Sequence, residues 1–149
     1  MRRLPPPTFS HARDQDVRVA AQHNDDRLAV HDVRAFVPAE QFSTSKAFYQ
    51  ALGWTTVWSD DTGLALMQLG GYRFMLQDYY VKDWAENFVL TIVVADARAW
   101  HTHVSDAVRG GQFGDARVAE PKVEDWGATV TYAWDPCGVL LHFTQFHDA

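Results

Sequence analysis

Side chains able to do chemistry are few and scattered here: seven histidines, one cysteine and six tryptophans among 149 residues. His142 stands in an alternating stretch near the C-terminus. An imidazole there serves either as a divalent-metal ligand or as a hydrogen-bonded residue on a half-buried strand. His101 and His103 are two apart on a candidate helix, so they point in different directions and read as a solvated face. Cys137 lies inside Asp135-Pro136-Cys137-Gly138, a turn position that tolerates most residues, and no histidine or acid is spaced to activate it. No Ser-His-Asp motif, glycine-rich phosphate loop or paired-carboxylate signature is present. The tryptophans, at 54, 58, 84, 100, 126 and 134, suit another task, because flat rings can line a cleft that stacks planar ligands.

The elements that must position these residues come in two copies of one pattern. Val33, Ala35 and Val37 alternate as a strand. Gln41–Leu52 reads as a helix, with Phe48 and Leu52 four apart and Gly53 at its C-terminal cap. Strands follow at Trp54–Ser59, Leu64–Leu69 and Tyr72–Asp78, separated by Asp60-Asp61-Thr62-Gly63 and Gly70-Gly71. The order then repeats. Phe88–Val94 is an apolar strand, and Asp96 caps a helix whose stripe is Ala97, Trp100, Val104 and Val108. Gly110-Gly111 ends that helix, and strands follow at Arg117–Ala119, Thr129–Trp134 and Val139–Phe146. Two such βαβββ modules, about 31–80 and 88–147, predict an α+β fold. Each helix covers one side of a curved mixed sheet, and the other side lines a cleft.

Composition bounds the rest. The chain is 47% hydrophobic and 21% charged, with a formal net charge of -6. One cysteine excludes a disulfide framework, and no apolar run approaches the ~18 residues of a membrane span. Absent Lys/Arg clusters argue against nucleic acid. Residues 1–30 hold three consecutive prolines and unpatterned charge, and read as a flexible N-terminal extension. They carry a net +1, which leaves 8 basic against 15 acidic residues, or -7, on the domain at 31–149. The expectation is a cytoplasmic protein with no nucleic-acid or membrane partner.

Two motifs carry a resemblance. Ser45-Lys46-Ala47-Phe48-Tyr49-Gln50-Ala51-Leu52-Gly53-Trp54 resembles the first helix of the glyoxalase/bleomycin-resistance/dioxygenase (vicinal oxygen chelate) superfamily. Asp125-Trp126-Gly127 with Asp135-Pro136-Cys137-Gly138-Val139-Leu140-Leu141-His142-Phe143 is similar to its closing signature, most of all in the bleomycin-resistance branch. The resemblance spans about residues 31–147 and agrees with the repeat.

It implies a metal site in the enzymes of the superfamily, formed by His, Gln or Glu at four strand positions. Those positions fall here on Arg34, Leu90, His142 and either Met75 or Gln77. Arginine and leucine offer no lone pair, so His142 is the one good ligand and a catalytic centre lacks its usual three. In the bleomycin-binding relatives, the tryptophan matching Trp126 stacks on the flat part of the drug. A second aromatic, just past an acidic pair, completes the sandwich. Here Thr62 follows Asp60-Asp61 at that position, and Trp58, Tyr79, Tyr80 or Trp84 are candidate substitutes. The acids Asp60, Asp61, Asp83, Glu124 and Asp125 would favour a cationic ligand.

The candidate ligand-binding set is thus Trp126, Trp58, Thr62, Asp61, Gln77, Tyr79 and His142, with no catalytic residue and no cofactor expected. The leading reading is a homodimeric protein that sequesters an aromatic, cationic small molecule. The alternative is a glyoxalase- or dioxygenase-like lyase or oxygenase with a divalent metal at His142. A third is an accessory domain whose cleft binds nothing.

Overall fold

A computed structural model describes residues 25–60 and 62–148. Contacts divide the chain after Val33. In the first unit, the described part holds one 3-10 turn, Asp26–Leu28, capped by the Asp25 carboxylate accepting from the Arg27 amide. Everything that follows lies in the second unit.

That unit repeats the order strand, helix, three strands. The first module comprises β1 (Phe36–Ala39), α1 (Phe42–Ala51), β2 (Thr55–Ser59), β3 (Leu64–Leu69) and β4 (Tyr72–Asp78). A short helix α2 (Lys82–Asn87) leads into the second: β5 (Val89–Val93), α3 (Ala97–Val108), β6 (Arg117–Val118), β7 (Lys122–Glu124), β8 (Ala128–Trp134) and β9 (Leu140–Phe146). The strands form two mixed sheets of the same plan. Sheet A runs β1-β4-β3-β2, and sheet B runs β5-β9-β8-β6 with β7 also against β8. In each, the first strand lies parallel to the last, as a βαβ crossover requires.

Ser45, Phe48, Tyr49 and Leu52 follow a helical repeat and are all buried, which seats α1 on sheet A. Gly53, at φ +106, then turns the chain in a conformation that costs glycine little. Asp96 caps α3, its carboxylate accepting from the Arg98 and Ala99 amides at 2.9 and 3.0 Å. Trp100 stacks on Phe143 of β9 with centroids 4.6 Å apart, fixing α3 on sheet B. One hydrophobic core includes Phe48, Leu52, Met67 and Leu76 from the first module and Val104, Ala133, Leu141 and Phe143 from the second. The modules meet on their helix-bearing sides: Phe48 packs edge-on to Phe113, and the His103 ring nitrogen lies 3.0 Å from the Leu52 carbonyl oxygen.

Three elements depart from the sequence reading. The first strand begins at Phe36, not Val33. Two segments for which the pattern gave no element are regular: Lys82–Asn87, around Trp84, is helix α2, and Lys122–Glu124 pairs with β8. His103 is exposed on α3 as expected, with one ring nitrogen turned to the Leu52 carbonyl oxygen.

Candidate functional site

Strand alternation gives each sheet a second side that no helix covers. On sheet A, Phe74 and Leu76 are buried towards α1, so Arg73, Met75 and Gln77 share the opposite face. Register extends that face across all four strands. Phe36 pairs with Met75, Met75 with Leu66, and Leu66 with Trp58. Gln77 lies one row further on, between Pro38 and Leu64. Trp58 and Phe36, at the two ends of their row, are 49% and 45% exposed. Tyr79, just past β4, is also exposed, and its ring is 6.0 Å from that of Trp84.

Thr62 has a different task. The Asp60 carboxylate accepts from the Thr62 amide, the Thr62 hydroxyl and the Leu64 amide, at 3.0, 2.7 and 2.9 Å. These bonds hold the Asp60 carboxyl below its usual range, the Thr62 hydroxyl most of all. The hydroxyl therefore serves the turn. Asp61 lies outside the described residues.

On sheet B the uncovered side carries Thr91, His142 and Tyr132 in one row, and Val89, Leu140, Trp134 and Arg117 in the next. The Arg117 guanidinium sits 4.3 Å over the Trp134 ring. His142 meets Tyr132 edge-on at 4.8 Å. Its Nε2 is buried with no hydrogen-bond partner, and burial pulls its pKa down against the opposing pull of the Glu124 charge. Glu124, on β7, accepts from the Tyr132 hydroxyl at 2.7 Å and pairs with Lys122 at 3.1 Å. Its side chain is only 11% exposed, and those two bonds keep its carboxyl ionised below the ordinary range. Burial, then this carboxylate, push the Tyr132 phenol up to about 12. Trp126 follows β7, is 47% exposed, and lies 6.1 Å from Phe146.

The structure thus groups Trp58 with Gln77 on sheet A, and His142 on sheet B with Trp126 in the turn before β8. Among the described residues, no hydrogen bond or ring contact joins the two groups. Tyr132, Arg117 and Phe36 were missed as site residues. Their signal was the strand parity of His142, Trp134 and Met75, which only the observed pairing fixes.

The metal positions transfer poorly. Leu90 pairs with Leu141 and packs against the core on the α3 side, so Thr91, which pairs with His142, occupies the uncovered face. Parity counted back from Asp96 fails because β5 ends at Val93 and two linking residues intervene. The groups on the uncovered faces with a lone pair for a metal are then the His142 imidazole and the Glu124 carboxylate on sheet B, and two amides, Gln68 and Gln77, on sheet A. Among the described residues, no three His, Cys, Asp or Glu side chains cluster as a metal site would need. These residues do not fit a catalytic divalent metal.

Cys137 is buried, and its thiol donates to the Pro38 carbonyl at 3.3 Å. Burial, then the Asp135 charge, push its pKa up to about 12, the reverse of an activated nucleophile.

The same arrangement of strands occurs in solved structures. A bleomycin resistance determinant encoded on the transposon Tn5 superposes with a TM-score of 0.66 at 23% identity, covering 78% of this chain and 98% of that one. The chain has the glyoxalase/bleomycin-resistance fold. A bleomycin-binding protein solved in complex with bleomycin shares that fold with a TM-score of 0.64 at 21% identity, covering 80% of this chain and all of the other. In sequence, the chain is 26% identical over 113 residues to a bleomycin resistance protein of Klebsiella pneumoniae, across 73% of this chain and 87% of that protein. No family model matches. No helix among the described residues is long and apolar enough to cross a membrane.

Proposed function

We propose that this protein binds and sequesters an aromatic, cationic small molecule of the bleomycin type without transforming it. The observation that carries this reading is the similarity to a bleomycin resistance protein over 113 residues, which spans both modules. The half-exposed Trp58 on sheet A and Trp126 in the turn before β8 support it, because exposed indoles offer flat faces on which a planar ligand stacks. Trp126 contacts the flat part of the ligand. Asp60, Glu124 and Asp125 supply the negative field that favours its cationic part.

The binding unit is a homodimer in the cytoplasm. Within one chain the modules join on their helix-bearing sides, so each uncovered face is half of a cleft. A second chain that sets its sheet B against the first chain's sheet A completes the sandwich of Trp126 and Trp58.

The test is a titration with metal-free bleomycin, followed by tryptophan fluorescence, beside Trp126→Ala. Saturable quenching that weakens in the variant supports sequestration at Trp126, while a flat titration removes bleomycin as the ligand. Light scattering on the eluting protein should give twice the chain mass of 16.9 kDa. A monomer would leave each chain with half a cleft and sink the two-chain arrangement.

A further inference from the structure

Trp126 stands in the short loop, residues 125–127, that joins β7 to β8. The Gly127 amide donates to the Glu124 carbonyl at 3.3 Å, and Gly127 has φ +91. This is a tight hairpin connection in which glycine takes the left-handed position. It presents the Trp126 side chain outward, 47% exposed. One bond across a turn leaves an exposed side chain free among its staggered rotamers.

Two residues at the end of β9 take hold of this hairpin. Phe146 pairs with Ala128, and the His147 amide donates to the Gly127 carbonyl at 2.8 Å, one rung beyond that pair. Alternation puts their side chains on opposite sides of sheet B. Phe146 shares the uncovered side with His142, and its ring meets the Trp126 indole at 6.1 Å and 63°. His147 falls on the α3 side, where its Nε2 lies 2.8 Å from the hydroxyl of Thr129, which is 6% exposed. The turn is therefore gripped at its backbone by one residue and at its indole by the other.

We infer that Phe146 and His147 are positioning residues for Trp126, ordering its indole in the free protein in the orientation that takes the planar part of a ligand. The inference rests on the sequestration reading and adds how its stacking ring is set. Neither residue has to touch the ligand: Phe146 braces the indole, and His147 fixes the backbone on which it stands. An unbraced indole would be ordered only on binding, and that ordering weakens affinity by about two- to tenfold.

The test reads the free protein first, by nitrogen relaxation of the tryptophan indole N–H groups in the full chain. The Trp126 resonance is identified by its loss in Trp126→Ala. In wild type it should be as ordered as that of Trp100, which stacks on Phe143. In Phe146→Ala, and in His147→Pro, which deletes the amide donor, Trp126 should become mobile on the nanosecond scale while Trp100 stays ordered. His147→Ala keeps the amide and should loosen Trp126 less, and Phe146→Tyr, which keeps the ring, should hold it as wild type does. Metal-free bleomycin should bind Phe146→Ala and His147→Pro about two- to tenfold more weakly. The Phe146→Ala loss should vanish once Trp126→Ala is in place.

A Trp126 already mobile in wild type, or still ordered in both variants, overturns the assignment. So does a Trp100 that loosens in step, because the two residues would then hold the sheet rather than the turn. A Phe146→Ala loss that persists without Trp126 also overturns it, since Phe146 would meet the ligand itself. Bleomycin binding that depends on Trp126 but not on Phe146 or His147 keeps the sequestration reading and removes the positioning. Bleomycin that fails to bind, beside a Trp126 ordered by these two residues, does the reverse.

Discussion

Tyr49 on α1 donates a 2.8 Å hydrogen bond to the carboxylate of Asp135, 86 residues later, in the turn between β8 and β9. Both residues are fully buried, so the bond ties the two modules through the core. The other Asp135 oxygen accepts from the Cys137 and Val139 amides at 2.9 and 3.0 Å, closing the turn. Burial raises the Asp135 pKa, and the Tyr49 hydrogen bond is the largest influence opposing it.

Tyr49→Phe should therefore cost about 1–3 kcal/mol at neutral pH, the penalty for a buried acceptor stripped of a donor. The sign with pH follows from the raised pKa. The folded state holds the Asp135 proton more tightly than the unfolded chain, so stability falls as pH rises through the folded pKa. Removing Tyr49 raises that pKa further and deepens the fall. Urea unfolding across the acid range should show the gap between wild type and Tyr49→Phe widening from acid to neutral pH. A gap independent of pH would mean that the hydroxyl does not stabilise the ionised carboxylate.

Cys137 should be inert in the folded protein. Its thiol is buried, donates to Pro38, and holds its proton to about 12. Reaction with iodoacetamide near pH 8 should be slow in buffer and rapid once urea unfolds the chain. Equal rates in the two conditions would contradict the buried placement.

His142 should stay neutral to lower pH than an ordinary histidine. Burial lowers its pKa and the Glu124 charge lifts it back in part. The unfolded chain then binds the proton first, so this residue's contribution to stability is present at neutral pH. It is lost as pH falls from the ordinary histidine value through the folded one. Ring-proton NMR titration should place the midpoint below about 6.5, and Glu124→Gln should move it lower still. A midpoint that rises in Glu124→Gln would contradict the field assigned to that carboxylate.

Much of this fold was legible in the chain. Gly53 and Asp96 mark helix ends by backbone chemistry that depends on neighbours alone, and both helices fall where those signals put them. Alternation in Leu64–Leu69 and Tyr72–Asp78 likewise gave strands with the same ends as observed. What sequence could not supply was parity across pairings. The bulge at Val57, where Thr56 pairs with Met67 but Trp58 with Leu66, and the link between β5 and Asp96 each shift alternation by one, and a shift of one moves a side chain to the opposite face. That is why Leu90 was misplaced and the Trp58 row was invisible. Three-residue β7 has too little pattern of its own, and its pairing with β8 decides it.

Gly63 fixes the turn that leads into β3, and its substitution is the sharpest local test of this geometry. Its φ is +94, and a Cβ added there would run into the Cβ of Asp78. The Asp78 amide donates to the Gly63 carbonyl at 2.7 Å, so backbone approaches backbone at this point and cannot easily retreat. Gly63→Ala should destabilise the protein by about 1–3 kcal/mol, through the strained conformation and the collision together. Thr62→Val, which removes only the exposed hydroxyl bond to Asp60, should cost less. Thermal unfolding of the two variants should rank them in that order. A Gly63→Ala protein as stable as wild type would mean that the turn is not held against the end of β4, and that Gln77 is not fixed from this side.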